Sequence, residues 1–204
     1  RLWPISRKET PKQLLPLLGG KETLFQGTIA RLENLFPPER ILIVTVAEQA
    51  REMQKQAPSI PVENYLIEPA PRGTASVVAL AAAVLEKRDP EAIMAIQTSD
   101  HYIRNRDLFH YLIRAAFDVA QNNYLVTLGI TPTYPATGYG YIQFIDDKTQ
   151  DDNKISKVKT FTEKPNLEMA KFFLQTGEFL WNAGIFMWSV KSIHKAVSEH
   201  LPDI

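Results

Sequence analysis

Short hydrophobic runs alternate with helix-length segments through the middle of the chain, and this alternation limits the folds open to it. Four strands are predicted, at 41–46, 64–67, 93–97 and 124–130. Three helices are predicted between them, at 47–57, 74–87 and 107–120. Strands separated by helices of this length form βαβ units, so the sequence predicts an α/β domain with a mostly parallel central sheet covered on both faces.

Helix patterns give more detail at two places. In the segment 107–120 the apolar stripe is predicted to consist of Leu108, Leu112, Ala115 and Val119. A further helix is predicted over 23–35, where Thr23 and Gln26 have the spacing of a capping box. We therefore assign Gln26 to capping and not to a ligand.

The pattern changes after residue 135. Strands are predicted at 141–145, 156–163 and 183–189, with a polar turn at 146–154 between the first two. Helices are predicted at 166–176, with Gly177 as the stop, and at 191–200. These elements predict a smaller, more antiparallel region attached to the α/β part.

Charge and composition exclude several classes of protein. The 204 residues contain 23 basic and 23 acidic side chains, so the basic excess typical of a nucleic-acid binder is missing. The chain has no cysteine, which excludes disulfides and Cys-ligated metals and fits a cytoplasmic protein. No apolar run approaches the roughly 18 residues of a membrane span. We expect neither a nucleic-acid partner nor a membrane partner.

The first twelve residues hold a local cluster of positive charge. This segment contains four basic residues and one acidic residue, Glu9. The basic residues are Arg1, Arg7, Lys8 and Lys12. Prolines at 4 and 11 stiffen this loop, and a stiff loop with cations at fixed spacing suits a polyphosphate. A solvated loop with scattered charge explains the composition equally well.

Two motifs follow predicted strands in the first part of the chain. The segment 68–75 reads Glu-Pro-Ala-Pro-Arg-Gly-Thr-Ala and enters a helix that Thr74 can cap, with free N–H groups for a nucleotide. The segment 98–101 reads Thr-Ser-Asp-His directly after a strand. At such a position Asp100 can hold Mg²⁺ or can merely cap the following turn. The four histidines share no metal-ligand spacing, and only His101 lies beside this position.

Two more motifs lie in the second part. Residues 137–142 place Tyr139 between two glycines, which lets the backbone approach a ligand closely or forms a plain turn. Glu163 and Lys164 end one strand, and Asn182 lies near the start of another. A carboxylate, an ammonium group and an amide can hold sugar hydroxyls and a sugar phosphate, although exposed ion pairing and a turn explain them too.

Together with the segment 1–17, these motifs resemble the sugar-nucleotide pyrophosphorylases, and within them the mannose-1-phosphate guanylyltransferases. The similarity runs from residue 1 to about 189 through five motifs in the same order. It implies a Rossmann-like, three-layer, GT-A-like nucleotidyltransferase domain over 1–204. Nucleotide would bind to the part up to about residue 130, and sugar phosphate to the part over about 131–204.

The resemblance also implies roles for individual residues. The catalytic residues would be Arg1, Lys12 and Asp100, with Asp100 binding Mg²⁺. The nucleotide-binding residues would be Arg1, Lys12, Glu68, Arg72, Gly73 and Thr74. The sugar-phosphate-binding residues would be Tyr139, Gly140, Glu163, Lys164 and Asn182. Family members often carry Asn at the position of Gly73 and Pro at that of Ser76, so contact with the base at 73 would use the backbone.

The implied reaction joins GTP and mannose 1-phosphate to give GDP-mannose and pyrophosphate, by in-line attack on the α-phosphorus. Three alternatives stay open. A pyrophosphorylase for another nucleotide sugar would share the mechanism, and a regulatory homologue would bind nucleotide sugar without turnover. A glycosyltransferase would commonly show Asp-x-Asp after a strand, and here the strand is followed by Ser99-Asp100-His101.

The resemblance places further segments outside these 204 residues. The glycine-rich half of the first motif is expected directly before Arg1, on a turn that follows a central strand. A further metal-binding Asp and a C-terminal domain are expected beyond the last residue. We therefore expect the molecule to be longer at both ends, and the resemblance is compatible with a homodimer.

Overall fold

Helices and strands alternate up to residue 130, as the sequence predicts. The computed structural model describes residues 2–7, 10–145 and 155–202. Its helices are α1 Leu24–Leu32, α2 Ala47–Gln56, α3 Thr74–Arg88, α4 Arg106–Ala120, α5 Leu167–Thr176 and α6 Val190–His200. Its strands are β1 Ile43–Val46, β2 Tyr65–Glu68, β3 Ile93–Ile96, β4 Val126–Ile130, β5 Gly140–Ile145, β6 Lys157–Glu163 and β7 Phe179–Ser189. The predicted turn at 146–154 lies outside the described residues.

The helix caps agree with the sequence prediction, except at the start of α3. The capping box of α1 is present, since the Thr23 hydroxyl accepts from the Gln26 amide N–H and the Gln26 side chain accepts from the Thr23 N–H. Gly177 ends α5 in the left-handed conformation, at φ 69°. The prediction that Thr74 caps α3 is wrong. The cap residue is Gly73 at φ 90°, which offers no side chain, and Thr74 is already helical.

The strands form two sheets within the described residues. β1 and β2 pair in parallel. In the five-stranded sheet, β3 and β5 pair with successive parts of one edge of β7, β6 pairs with β5, and β4 pairs with the opposite edge of β7. The α/β class is confirmed, but parallel pairing is less extensive than predicted. β3 and β4 run in the same direction, as a βαβ unit requires, yet each pairs antiparallel with β7, which lies between them. A hydrophobic pattern sets the direction of crossover-linked strands but does not identify the strand that separates them.

Two hydrophobic cores lie on opposite faces of β7 and give the fold three layers. Adjacent residues of a strand point to opposite faces, and Met187 joins the core under α1, α2 and α4, whereas Trp188 joins the core under α3 and α6. A third, smaller core packs Tyr141 against Phe173 of α5. Within the described ranges, no helix has the length and apolar character to cross a membrane.

Candidate active site

An ion pair joins the N-terminal loop to the turn that follows β3. Lys12 begins a short 3₁₀ turn after Pro11, and its Nζ contacts Oδ2 of Asp100, four residues beyond the end of β3. Burial by itself would raise the pKa of Asp100. The hydrogen bond and positive charge of Lys12 outweigh that effect, so the pKa of this carboxyl lies below its ordinary value. The fold thus brings together two residues that the sequence assigns to one site.

His101 lies next to this carboxylate, and its pKa lies below the ordinary value. Burial lowers the pKa of its imidazole, and the negative charge of Asp100 only partly opposes that effect. Across the part of the chain that the structure describes, no three His, Cys, Asp or Glu side chains are grouped as a metal site. Asp100 is a carboxylate that could hold a divalent cation here, with the remaining ligands coming from phosphate and water. That ligand set suits Mg²⁺.

A second polar cluster forms where β5, β6 and β7 run side by side. Gly140 lies opposite Glu163 in the β5–β6 ladder. A Cβ atom on Gly140 would lie 2.7 Å from Oε2 of Glu163 and 3.5 Å from Cβ of Asn182. The glycine therefore leaves the space in which the Glu163 carboxylate lies, and three of the predicted sugar-phosphate residues meet at this point.

Lys164 completes the cluster through an uncommon backbone conformation. Its φ is 45°, in the left-handed region that a non-glycine residue rarely occupies. Its backbone N–H donates to the Tyr139 carbonyl oxygen at 3.2 Å, and its Nζ lies 3.3 Å from Oε1 of Glu163. Backbone strain of this kind is concentrated at ligand-binding positions, where the surroundings hold it in place. Both charged side chains remain more than half exposed, so they are accessible to a ligand.

Asn182 connects the second cluster to the turn after β3. Its Oδ1 accepts a hydrogen bond from the backbone N–H of Gly184 at 2.9 Å. Gly184 has φ 65°, and a Cβ atom there would lie 3.6 Å from Cγ2 of Thr98. Because Thr98 precedes Asp100 by two residues, the two polar clusters are neighbours on one edge of the fold. The side-chain nitrogen of Asn182 remains as its donor to a ligand.

Aromatic side chains form a wall beside the second cluster. Tyr139 packs edge-on against Trp181 with ring centroids 5.2 Å apart, and Tyr134 packs against Trp181 at 5.0 Å. The buried Nε1 of Trp181 has no hydrogen-bond partner among the described residues. Of these three aromatic residues, the sequence predicts only Tyr139 as a site residue. The register that places Ile130 and Tyr141 on either side of Trp181 brings the wall together, and a motif search does not reveal it.

The nucleotide-binding residues predicted at 68–74 lie on the other sheet. Glu68 ends β2, and Gly73 precedes α3 with the positive φ that only glycine adopts readily. No strand pairing within the described residues joins the β1–β2 sheet to the five-stranded sheet. Arg72 and Thr74 are exposed at this edge. Arg1, predicted to bind nucleotide and to act in catalysis, lies outside the described residues.

Comparison with known proteins gives consistent matches over the whole chain. The mannose-1-phosphate guanylyltransferase of Sinorhizobium fredii is 40% identical over 212 residues, which cover 100% of this chain and 40% of the relative. A Thermus thermophilus structure described as a mannose-1-phosphate geranyltransferase superposes with a TM-score of 0.89 at 31% identity. The match covers 98% of this chain and 57% of the Thermus thermophilus chain. A Helicobacter pylori structure described as a mannose-6-phosphate isomerase superposes with a TM-score of 0.82 at 29% identity, covering 96% and 72%.

The chain spans about two fifths of the length of the curated relatives it matches. Residues 1–203 match the family described as Nucleotidyl transferase. This match extends through the Lys12–Asp100 pair, the Gly140–Glu163 cluster and Asn182, so every described part of the candidate site lies within it. The chain therefore belongs to the nucleotidyl transferase family.

Proposed function

We propose that the protein transfers a guanylyl group from GTP to mannose 1-phosphate, giving GDP-mannose and pyrophosphate. The observation that carries the proposal is the adjacency of two polar clusters. Lys12 and Asp100 form one, Glu163, Lys164 and Asn182 form the other, and the Gly184–Thr98 contact connects them. The name of the Sinorhizobium fredii relative supports the choice of nucleotide and sugar.

The reaction needs two anions to be brought together. An oxygen of the sugar phosphate forms a bond to the α-phosphorus of GTP. The bond from that phosphorus to the oxygen bridging to the β-phosphorus breaks, and its electron pair leaves with pyrophosphate. A phosphate monoester has a second pKa near 6, so the attacking oxygen is already ionised at neutral pH and no general base is required. The chain must position the reactants and neutralise their charge.

Each of the two clusters binds one of the two reactants. Lys12, together with Arg1, binds the nucleotide phosphates. Lys164 holds the sugar phosphate as a point charge, Glu163 accepts hydrogen bonds from sugar hydroxyls, and Asn182 donates to a further hydroxyl. The remaining contacts involve the base and ribose on one side, at Glu68, Arg72, Gly73 and Thr74, and the sugar on the other, at Tyr139 and Gly140.

Asp100 is the residue that would hold Mg²⁺, and its surroundings fit that role. Its carboxylate is only partly buried, and its lowered pKa keeps it ionised. When bound, the cation would neutralise negative charge on the reacting phosphates. Lys12, which contacts the same carboxylate, lies where it can turn toward the phosphates. The proposal includes a cytoplasmic location, and it is compatible with a homodimer.

The test is a screen of nucleoside triphosphates against sugar 1-phosphates, with pyrophosphate release measured on the full-length protein in the presence of Mg²⁺. We expect the highest kcat/KM for GTP with mannose 1-phosphate. Preference for another pair would identify a pyrophosphorylase of different specificity. Binding of GDP-mannose without pyrophosphate release from any pair would refute the proposed activity and indicate a regulatory homologue.

A further inference from the structure

A cavity of about 220 Å³ lies behind the turn that follows β3, on the side of the sheet covered by α1 and α4. None of the residues assigned above to substrate binding lines it. Its walls come from the loop before α1, from α1 itself and from residues 101–106. Pockets for drug-sized ligands are usually larger, and this volume corresponds to about seven water molecules. The cavity therefore suits a small polar ligand.

Arg31 contributes a buried positive charge to the wall of this cavity. The side chain is 3% exposed. Its Nη1 donates to the His101 carbonyl oxygen at 3.3 Å, and its Nη2 donates to the Thr28 hydroxyl at 3.2 Å. Its Nε is buried without a hydrogen-bond partner in the described part of the chain, where no carboxylate forms an ion pair with Arg31 either. A buried cation without a counter-charge is strongly unfavourable unless an anion accompanies it.

Arg106 lines the same cavity and adds a second positive charge. Burial lowers the pKa of Arg31 most, and the charge of Arg106 lowers it further. Glu22 also lines the cavity, and neither arginine forms an ion pair with it. Two guanidinium groups against one carboxylate leave the cavity electropositive.

Gly27 keeps the cavity open. It lies inside α1, one turn before Arg31, where glycine weakens a helix relative to alanine. Neither its backbone conformation nor its packing demands glycine, because the nearest atom to a Cβ there would be Oε2 of Glu22 at an ordinary 3.6 Å. Gly27 lines the cavity, so a larger side chain would enter the space beside Glu22 and Arg31. The glycine therefore supplies room for a ligand.

We propose that this cavity binds a small oxyanion of phosphate size, held by the guanidinium groups of Arg31 and Arg106. Guanidinium groups bind phosphate oxygens through paired hydrogen bonds, and both arginines line the cavity. Arg31 also holds the carbonyl of His101, next to Asp100. The anion would thus be one residue away from the turn that carries the candidate metal ligand. This inference does not depend on the proposed reaction.

The test is isothermal titration calorimetry of the protein with inorganic phosphate. Arg106→Gln removes one charged donor at the cavity, and we expect phosphate binding to weaken about tenfold or more. Gly27→Leu fills the cavity without removing a charge, and we expect phosphate binding there to be lost. Arg104→Gln is the matched control, since Arg104 is an exposed arginine two residues away that does not line the cavity. We expect it to bind phosphate as the wild type does.

Phosphate can also enter the proposed substrate cleft, so Lys164→Ala is titrated alongside. We expect it to retain the binding that Gly27→Leu loses. Circular dichroism and thermal unfolding establish that each variant is folded, and Arg106→Gln remains informative should Gly27→Leu fail to fold. Three results would overturn the inference: no phosphate binding to the wild type, wild-type affinity in Gly27→Leu, or wild-type affinity in Arg106→Gln.

Discussion

Replacement of Gly140 by alanine tests whether the placement of Glu163 matters for sugar binding. The new Cβ atom would lie 2.7 Å from Oε2 of Glu163, whereas ordinary contacts begin at 3.4 Å. The carboxylate must therefore move by about 3.4 − 2.7 = 0.7 Å. Glu163 is mostly exposed, so its side chain can move at little cost in folding free energy. The position of its charge changes while the fold is retained.

The expected loss concerns the sugar substrate alone. A misplaced hydrogen bond to a charged group costs about 1.5–3 kcal/mol, which corresponds to a loss of roughly 10- to 100-fold in kcat/KM for mannose 1-phosphate. The KM for GTP should stay unchanged, because Gly140 and Glu163 belong to the proposed sugar site, whereas Lys12 and Asp100 belong to the proposed phosphate site. The free energy of unfolding should change by less than about 1 kcal/mol, since Gly→Ala changes of this kind act mainly on the unfolded chain.

The assay is steady-state pyrophosphate release with each substrate varied in turn, together with urea unfolding of each variant. Gly138→Ala is the matched control, because a Cβ atom on Gly138 would meet nothing within 4 Å and its φ is not in the left-handed region. A folded Gly140→Ala protein with wild-type kcat/KM would refute the reasoning. So would an equal loss in Gly138→Ala, which would show that the loop and not the carboxylate is responsible.

Three further substitutions test separate parts of the structure. Asp100→Asn should abolish most Mg²⁺-dependent turnover without unfolding the protein, because an amide replaces a hard anionic ligand, and wild-type activity at low Mg²⁺ would contradict the metal assignment. Lys164→Ala should weaken mannose 1-phosphate by about 2 kcal/mol or more and leave GTP unaffected, whereas equal weakening of both would give Lys164 a general electrostatic role. Gly129→Ala should destabilise the fold by about 1–3 kcal/mol, because its Cβ would lie 2.5 Å from Cδ1 and 2.8 Å from Cβ of Leu180. An unchanged urea midpoint would show that Leu180 adapts freely.

Helix α4 shows what hydrophobic periodicity alone can and cannot predict. The sequence correctly predicts a helix with one apolar stripe, but the predicted stripe is displaced by one residue. Leu108 is 46% exposed, whereas Phe109, Ile113, Ala116 and Ala120 are buried. Both sets have the same helical spacing, because the helix carries apolar residues at both sets of positions. Which set faces inward depends on the position of α4 against β4 and β7, and that is a tertiary property.

Strand neighbours are less predictable than strand positions. The last predicted strand begins at residue 183, whereas β7 begins at Phe179. The extra residues pair with β5, and they position Trp181 and Asn182. Long-range pairing of this kind depends on register with strands far apart along the chain, which local hydrophobicity does not contain.

The residues of the candidate site also differ in how far the sequence predicts them. Asp100 was predictable as a candidate site residue because it follows the carboxyl end of a strand, whereas Lys12 was assigned to the same site by family resemblance. Glu163 and Lys164 were predictable from their chemistry and from a resemblance. The aromatic wall and the buried Arg31 were not, since an arginine inside an amphipathic helix is normally assigned to the solvent face.

The strand β7 sets the spacing between the two polar clusters, and so between the two proposed substrates. Phe186 pairs with Ile96 at the end of β3, and Asn182 lies four residues away in the same strand, beyond Gly184 at φ 65° and the register shift of the β4–β7 ladder. Because both positions belong to one strand that is paired on either side of this irregularity, the proposed sugar site cannot move toward the proposed phosphate site without disrupting the strand pairing. An insertion of two residues between these positions would keep every side chain on its face but displace Asn182 by about 7 Å, far beyond the roughly 1 Å that a reacting geometry tolerates. We therefore expect differences in sugar size to be accommodated by the loop 131–139 between β4 and β5, whose length can change without altering this strand pairing.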